Sequence, residues 1–148
     1  MLGTALEKWL RHANKLKVEE HPFWVAPYLF DDMPRDLLAT FREESDLVTF
    51  KGDANYRRLV LDRRMPHDTD FVHAVSHLRR CLPGNSRLPV LALRTQKAEL
   101  TCGLSPAKTE AAAAKDKNWM TNGRWGLIQF SLLRGEGEGC DTSSKSEL

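Results

Sequence analysis

Cysteine is scarce and scattered: Cys81, Cys102 and Cys140 form no C-x-x-C pair. An odd, dispersed set of three supports neither a disulfide framework nor a zinc site, and it suits a reducing compartment. A one-sided charge balance is also missing. The formal net charge is +2 over 148 residues, short of the basic excess that marks nucleic-acid binders. No apolar run approaches the roughly 20 residues of a membrane span. Glu7, Lys8, Arg11 and His12 interrupt the N-terminus, so no signal peptide is expected there. A cytoplasmic, intracellular protein with no membrane or nucleic-acid partner follows as the expectation. Internal repeats are absent, and so is a G-x-G-x-x-G nucleotide loop. What remains is an ordinary globular composition, 41% hydrophobic and 28% charged, at a length one core can serve.

The pattern along the chain alternates helices and short apolar runs. Leu6, Trp9, Leu10 and Ala13 recur at helical spacing and predict a helix over 4–17, with Thr4 and Glu7 as a capping pair. Pro22, Pro27 and Pro34 then make 21–34 a loop, whose Phe23, Trp24, Tyr28 and Phe30 are expected to pack on a core. Residues 35–44 read as a helix with Leu37, Leu38 and Phe41 inward, and 69–80 as another. Within the latter, His73 and His77 stand at i and i+4. The pair lacks the Glu of H-E-x-x-H and any evident third ligand, so a solvated helix face is the expected reading. Strands are expected at Leu47–Phe50, Leu88–Leu93 and Trp125–Phe130, a helix around Ala111–Ala114, and a disordered tail over 135–148.

One stretch carries more polar chemistry than a turn needs. The run Leu47–Phe50 breaks at Gly52, Asp53 follows as a candidate N-cap, and a helix starts with Tyr56 and Leu59. This strand-turn-helix holds Lys51, Asp53, Asn55, Arg57 and Arg58. Lys and Arg bind phosphate oxygens, helix-start N–H groups add to an anion site, and Asp and Asn can meet ligand hydroxyls. The second apolar run also ends in charge, Arg94-Thr95-Gln96-Lys97. If the two strands are parallel neighbours, both sets of cations converge on one rim, where open α/β sheets bind ligands. The plainer alternative is a helix cap and two solvated strand ends.

Ser45-Asp-Leu-Val-Thr-Phe-Lys-Gly-Asp-Ala-Asn-Tyr-Arg-Arg-Leu59 resembles the Lys-Gly-Asp-x-Asn-Tyr-Arg-Lys-Leu signature of the metal-dependent damage-control phosphatases. Arg94-Thr95-Gln96-Lys97 is similar to the Arg-Thr-x-Lys motif of that family's third subfamily, and Ala98-Glu99 and Gly103-Leu104 continue the match. Trp119 to Phe130 resembles the family's closing segment, and Phe23-Trp24 with Met33-Pro34 fits upstream. The likeness runs over roughly residues 5–133. It implies an α/β fold, namely the C-terminal part (1–134) of a three-layer α/β/α Rossmann-like domain with an incomplete sheet. It further implies hydrolysis of reactive sugar phosphates such as fructose 1-phosphate and fructose 6-phosphate with Mn or Ni. By resemblance the substrate-binding residues are Asp53, Ala54, Asn55, Tyr56, Arg57 and Lys97, with Lys51 and Arg94 as candidate anion contacts.

Three departures bear on the expectation. Ala54 stands where Leu is usual and Met65 where Trp is usual, both tolerable. The family's Asp-Asn-x-Gly metal motif lies well upstream of Lys-Gly-Asp, and nothing before Lys51 reproduces it. No metal ligands are therefore expected in this chain, and little phosphatase activity from it alone. A non-catalytic module that binds phosphorylated ligands is the alternative. An S-adenosylmethionine-dependent protein-glutamate carboxyl methyltransferase, an activity also described in the subfamily, ranks last.

Overall fold

Three apolar runs become three strands, and the buried core lies against one face of them. The computed structural model describes residues 4, 7–8, 10–15, 17–81 and 87–135. Strand β1 is Val48–Lys51, β2 is Arg87–Thr95 and β3 is Gly126–Arg134, ordered β1-β2-β3. β1 and β2 run parallel, with Val48 opposite Val90 and Lys51 opposite Leu93. β3 returns antiparallel, with Phe130 opposite Leu91 and Ile128 opposite Leu93. The helices are α1 (Arg35–Glu44), α2 (Asp53–Leu59), α3 (Phe71–Ala74) and α4 (Pro106–Lys115). This mixed α/β architecture with an open three-stranded sheet is the incomplete α/β domain that the sequence implies.

Side chains alternate across a strand, so each strand presents one face inward and one outward. The inward set, Val48 and Phe50 from β1, Leu88, Val90 and Ala92 from β2 and Leu133 from β3, joins Tyr56, Leu59, Phe71, Val75 and Leu78 in the core. Among the described residues the outward set has no such cover. Leu91 and Leu93 are half-buried, Phe130 is 59% exposed and Ile128 79% exposed, and these four stand in register across β2 and β3. One layer of helices and loops thus covers one side of the sheet, while an apolar row lies open on the other. No helix among the described residues is long and apolar enough to cross a membrane.

Local chemistry accounts for the element boundaries. Pro106 occupies the first turn of α4, where its missing N–H costs nothing. Asp70 caps α3 by accepting from the Val72 amide at 2.9 Å. The helix expected over 69–80 does not run through. It stops at Ala74 and tightens into a 3-10 segment, Ser76–Cys81. Val75 and Leu78 are both buried and three residues apart, a spacing that a 3-10 turn stacks on one side. Of the helix expected over 4–17, residues 4, 7, 8 and 10 are helical, Ala13–Lys15 form a 3-10 turn, and Lys17 lies outside any helix. The tail expected from 135 falls, beyond residue 135 itself, outside the described residues.

Phe23, Phe30 and, in part, Trp24 of the aromatic loop pack on the core as expected, whereas Tyr28 stays exposed, and a cation fastens the loop. Phe23 and Phe30 are buried, and Phe30 meets Phe50 of β1 at 4.8 Å between ring centroids. Arg58 of α2 donates from Nε to the Tyr28 carbonyl at 2.6 Å and from Nη2 to the Phe23 carbonyl at 3.0 Å. Its guanidinium carbon lies 4.8 Å and 4.9 Å from the Phe23 and Phe30 ring centroids. Arg58 is therefore a brace between α2 and the 21–34 loop, not part of a solvated face.

Candidate functional site

Because β1 and β2 are parallel, their C-terminal ends open on the same rim, and the two charged motifs meet there. Gly52 makes the turn possible. Its φ of 103° lies in a region that residues with a Cβ rarely adopt, and its amide donates to the Leu93 carbonyl at 2.8 Å. Gly52 itself, not Asp53, is the N-cap of α2, and Asp53 is the first helical residue. The Asp53 carboxylate is thereby free of capping and reaches across to the second motif. Its Oδ1 accepts from Arg94 Nε at 2.8 Å and from the Lys97 amide at 3.3 Å.

Arg94 was expected on an open anion-binding rim and instead lies inside. Its side chain is fully buried. Besides Asp53 it donates from Nη2 to the Ala98 carbonyl at 3.1 Å and from Nη1 to the Leu100 carbonyl. The guanidinium lies 4.4 Å over the Tyr56 ring. A buried guanidinium needs acceptors for its fork, and here the strand end, the 97–101 bend and Asp53 provide them. The bend is folded around Arg94, and that sets where Lys97 emerges.

The other predicted residues divide into those that face solvent and those that do not. Lys51, Ala54, Arg57 and Lys97 are exposed, and Asn55 is half-buried with its Nδ2 donating to the Lys51 carbonyl at 2.9 Å. Arg57 turns away toward the far end of α2, where it holds Asp62 with a two-pronged pair at 2.7 Å and 2.8 Å. That pairing keeps the Asp62 carboxyl below the usual carboxylate range. Tyr56, expected among the ligand contacts, is buried beneath Arg94. Its hydroxyl shares a hydrogen bond with Cys102 Sγ at 3.3 Å, and burial pushes the phenol well above its ordinary pKa. Tyr56 supports the rim from below.

A further contributor lies far along the chain. The Gly123 amide donates to the Gln96 carbonyl at 2.9 Å, and a Cβ built on Gly123 would stand 3.6 Å from Lys97 Cε. Gly123 has φ 74°, so the turn closing onto Lys97 again depends on glycine. This turn is tied internally by Asp116, which accepts from Asn122 and from Trp125 Nε1 at 3.0 Å. The Asn118–Gly123 turn is readable in the sequence as a turn, but nothing local signals that it packs on Lys97.

The donor set does not fit a divalent metal. Asp53 is the carboxylate at the junction, and it already accepts from Arg94 and the Lys97 amide. Among the described residues no three His, Cys, Asp or Glu side chains converge as metal ligands would.

Comparison with known proteins bears on the same residues. The family described as Damage-control phosphatase ARMT1-like domain matches residues 2–112, which include both motifs. The Damage-control phosphatase ARMT1 of Danio rerio is 40% identical over 114 residues, covering 76% of this chain and 24% of the relative. Its counterpart in Rattus norvegicus is 36% identical over 130 residues, 86% of this chain and 26% of the relative. That of Mus musculus is 38% identical over 131 residues, 86% and 28% respectively. The chain spans about a quarter of the length of the curated relatives it matches.

Proposed function

The chain belongs to the ARMT1-like damage-control phosphatase family, and from that premise we propose that its two strand ends form the substrate-binding part of a phosphomonoesterase acting on reactive sugar phosphates, fructose 1-phosphate and fructose 6-phosphate among them. The observation that carries the reading is the double use of Asp53 Oδ1, which ties Arg94 and the Lys97 amide to the start of α2. That junction draws Lys97 to the rim that Lys51 and Asn55 share. Lys97 and Lys51 are the cations for a phosphate, each as a point charge, and the Asn55 amide serves a sugar hydroxyl. Ala54 leaves the approach uncrowded. Asp53, Arg94 and Tyr56 position these groups.

Phosphoryl transfer needs positive charge around the oxygens of the transferred phosphoryl group, which the exposed Lys51 and Lys97 supply in this reading. A divalent Mn or Ni ion in this reading is held by groups other than the described residues. The methyltransferase reading has no comparable support in the rim, where the exposed cations favour an anion over a sulfonium.

The experiment is a fructose 1-phosphate titration of the 148-residue chain and of Lys97→Ala, with phosphate release followed in the presence of Mn. Saturable binding that weakens about tenfold or more in Lys97→Ala is expected, since a charge-assisted contact is worth roughly 1.5–3 kcal/mol. Equal binding by both chains overturns the assignment. Metal-dependent turnover would mean that the chain builds a metal site as well.

A further inference from the structure

A cation-lined cavity sits at the other end of α2 from the rim. Asp53 opens that helix, and the chain leaves it at Leu61, about 10 Å away along a seven-residue axis. There Leu61 and Asp62 both take left-handed backbone conformations, φ 60° and 49°, which non-glycine residues seldom do. The Arg57–Asp62 pair and the Asp62 amide on the Arg57 carbonyl at 2.7 Å hold this sharp reversal. The reversal brings Arg63 and Arg64 to a cavity of about 680 Å³ whose lining also includes His73 and His77. That volume is within the usual range for small-ligand sites.

The lining is one-sided in charge. Two arginines face a single acid, Asp31, and the His73 and His77 rings with the Thr69 and Ser76 hydroxyls add further hydrogen-bonding groups. Arg63 and Arg64 are exposed, so an incoming anion can reach them. The histidine spacing noted in the sequence is explained here differently from a metal pair. Two guanidiniums beside the imidazoles disfavour a metal cation and favour an anion, for which arginine supplies a two-pronged contact.

We propose that this cavity is an anion site, distinct from the Asp53–Lys97 rim, that takes a phosphate group. The half-buried His77 reports the field in it: burial, and then the charge of Arg63, push its imidazole down to about 4. An anion between Arg63 and His77 reverses the second of these effects. Met65 and Leu61 offer an apolar strip for the carbon portion of a phosphate ester.

The test is NMR of the histidine ring signals in the isotopically labelled full chain, titrated at constant ionic strength with inorganic phosphate and, separately, with glycerol phosphate. Saturable shifts of His73 and His77, with the His77 titration moving to higher pH, are expected. Arg63→Gln/Arg64→Gln should weaken them about tenfold or more, whereas Lys97→Ala should leave them in place. A stronger response to glycerol phosphate assigns the site to a phosphate ester, and an equal response assigns it to the free ion. Absence of saturable shifts in the wild-type chain overturns the proposal without recourse to any variant. So does a response that survives loss of both arginines, or one that disappears in Lys97→Ala.

Discussion

Asp53 and Arg94, 41 residues apart in sequence, share a hydrogen-bonded ion pair of 2.8 Å that joins the ends of two parallel strands. The guanidinium is fully buried and the carboxylate 18% exposed. Removing one member of a buried pair leaves the other charge without compensation, which is worse than never having the pair. Asp53→Ala should therefore cost about 2–4 kcal/mol, and Arg94→Lys a similar amount, because an ammonium cannot serve Asp53 and two carbonyls in fork geometry. Denaturant unfolding of both variants and of a double Asp53→Ala/Arg94→Met variant checks this. The double variant should be more stable than the sum of the single losses predicts.

How much of this was legible beforehand is clearest at these two residues. The apolar runs, the turn at Gly52 and the convergence of two charged motifs follow from hydrophobic pattern and strand direction. The destination of the charges does not. Asp53 looks like a helix cap because capping is a local matter, yet Gly52 takes that position and releases the carboxylate for a partner 41 residues on. Arg94 looks like an exposed strand end because arginine is rarely buried, and only the 97–101 bend, folded back to present its carbonyls, makes burial affordable. Tyr56 and Arg58 likewise owe their roles to partners distant in sequence. The 3-10 segment after Ala74 escaped because the helical period and the three-residue period nearly coincide over so short a span.

Arg58 braces the aromatic loop through three backbone carbonyls and two rings. Arg58→Ala should destabilise the chain by about 2 kcal/mol, from charged hydrogen bonds and cation–π contact together. It should also raise proteolytic cleavage within 21–34. Arg58→Lys should recover little, because one ammonium cannot reach carbonyls that a guanidinium spans. Limited proteolysis alongside thermal unfolding separates loop release from global loss.

Gly123 links a distant turn to Lys97 and the Gln96 carbonyl. Any side chain at φ 74° carries a left-handed backbone cost of about 1–2 kcal/mol. Gly123→Ala is expected to keep the fold but let the 118–125 turn shift off Lys97. Fructose 1-phosphate binding should weaken several-fold while circular dichroism is unchanged. Unaltered binding would show that the turn does not fix Lys97.

His77 makes acid stability predictable. Its folded-state pKa is depressed to about 4 from an ordinary 6.5, so folding favours the neutral imidazole. The stabilisation is complete above pH 6.5. It is lost progressively as pH falls to about 4, with a total on the order of 2–3 kcal/mol. His77→Gln should flatten this part of the stability-versus-pH curve. The Arg57–Asp62 pair acts lower, its contribution fading only as pH drops through the depressed Asp62 value.

The uncovered row of Leu91, Leu93, Ile128 and Phe130 has a calorimetric consequence. Unfolding raises heat capacity by wetting apolar surface that the fold had kept dry. Here part of that surface is already wet in the native state, so the transition has less to expose. The heat-capacity increment and the denaturant slope should both fall below what a chain of this length ordinarily gives. Covering the sheet with another polypeptide would restore both and raise the midpoint in proportion to how tightly that partner binds.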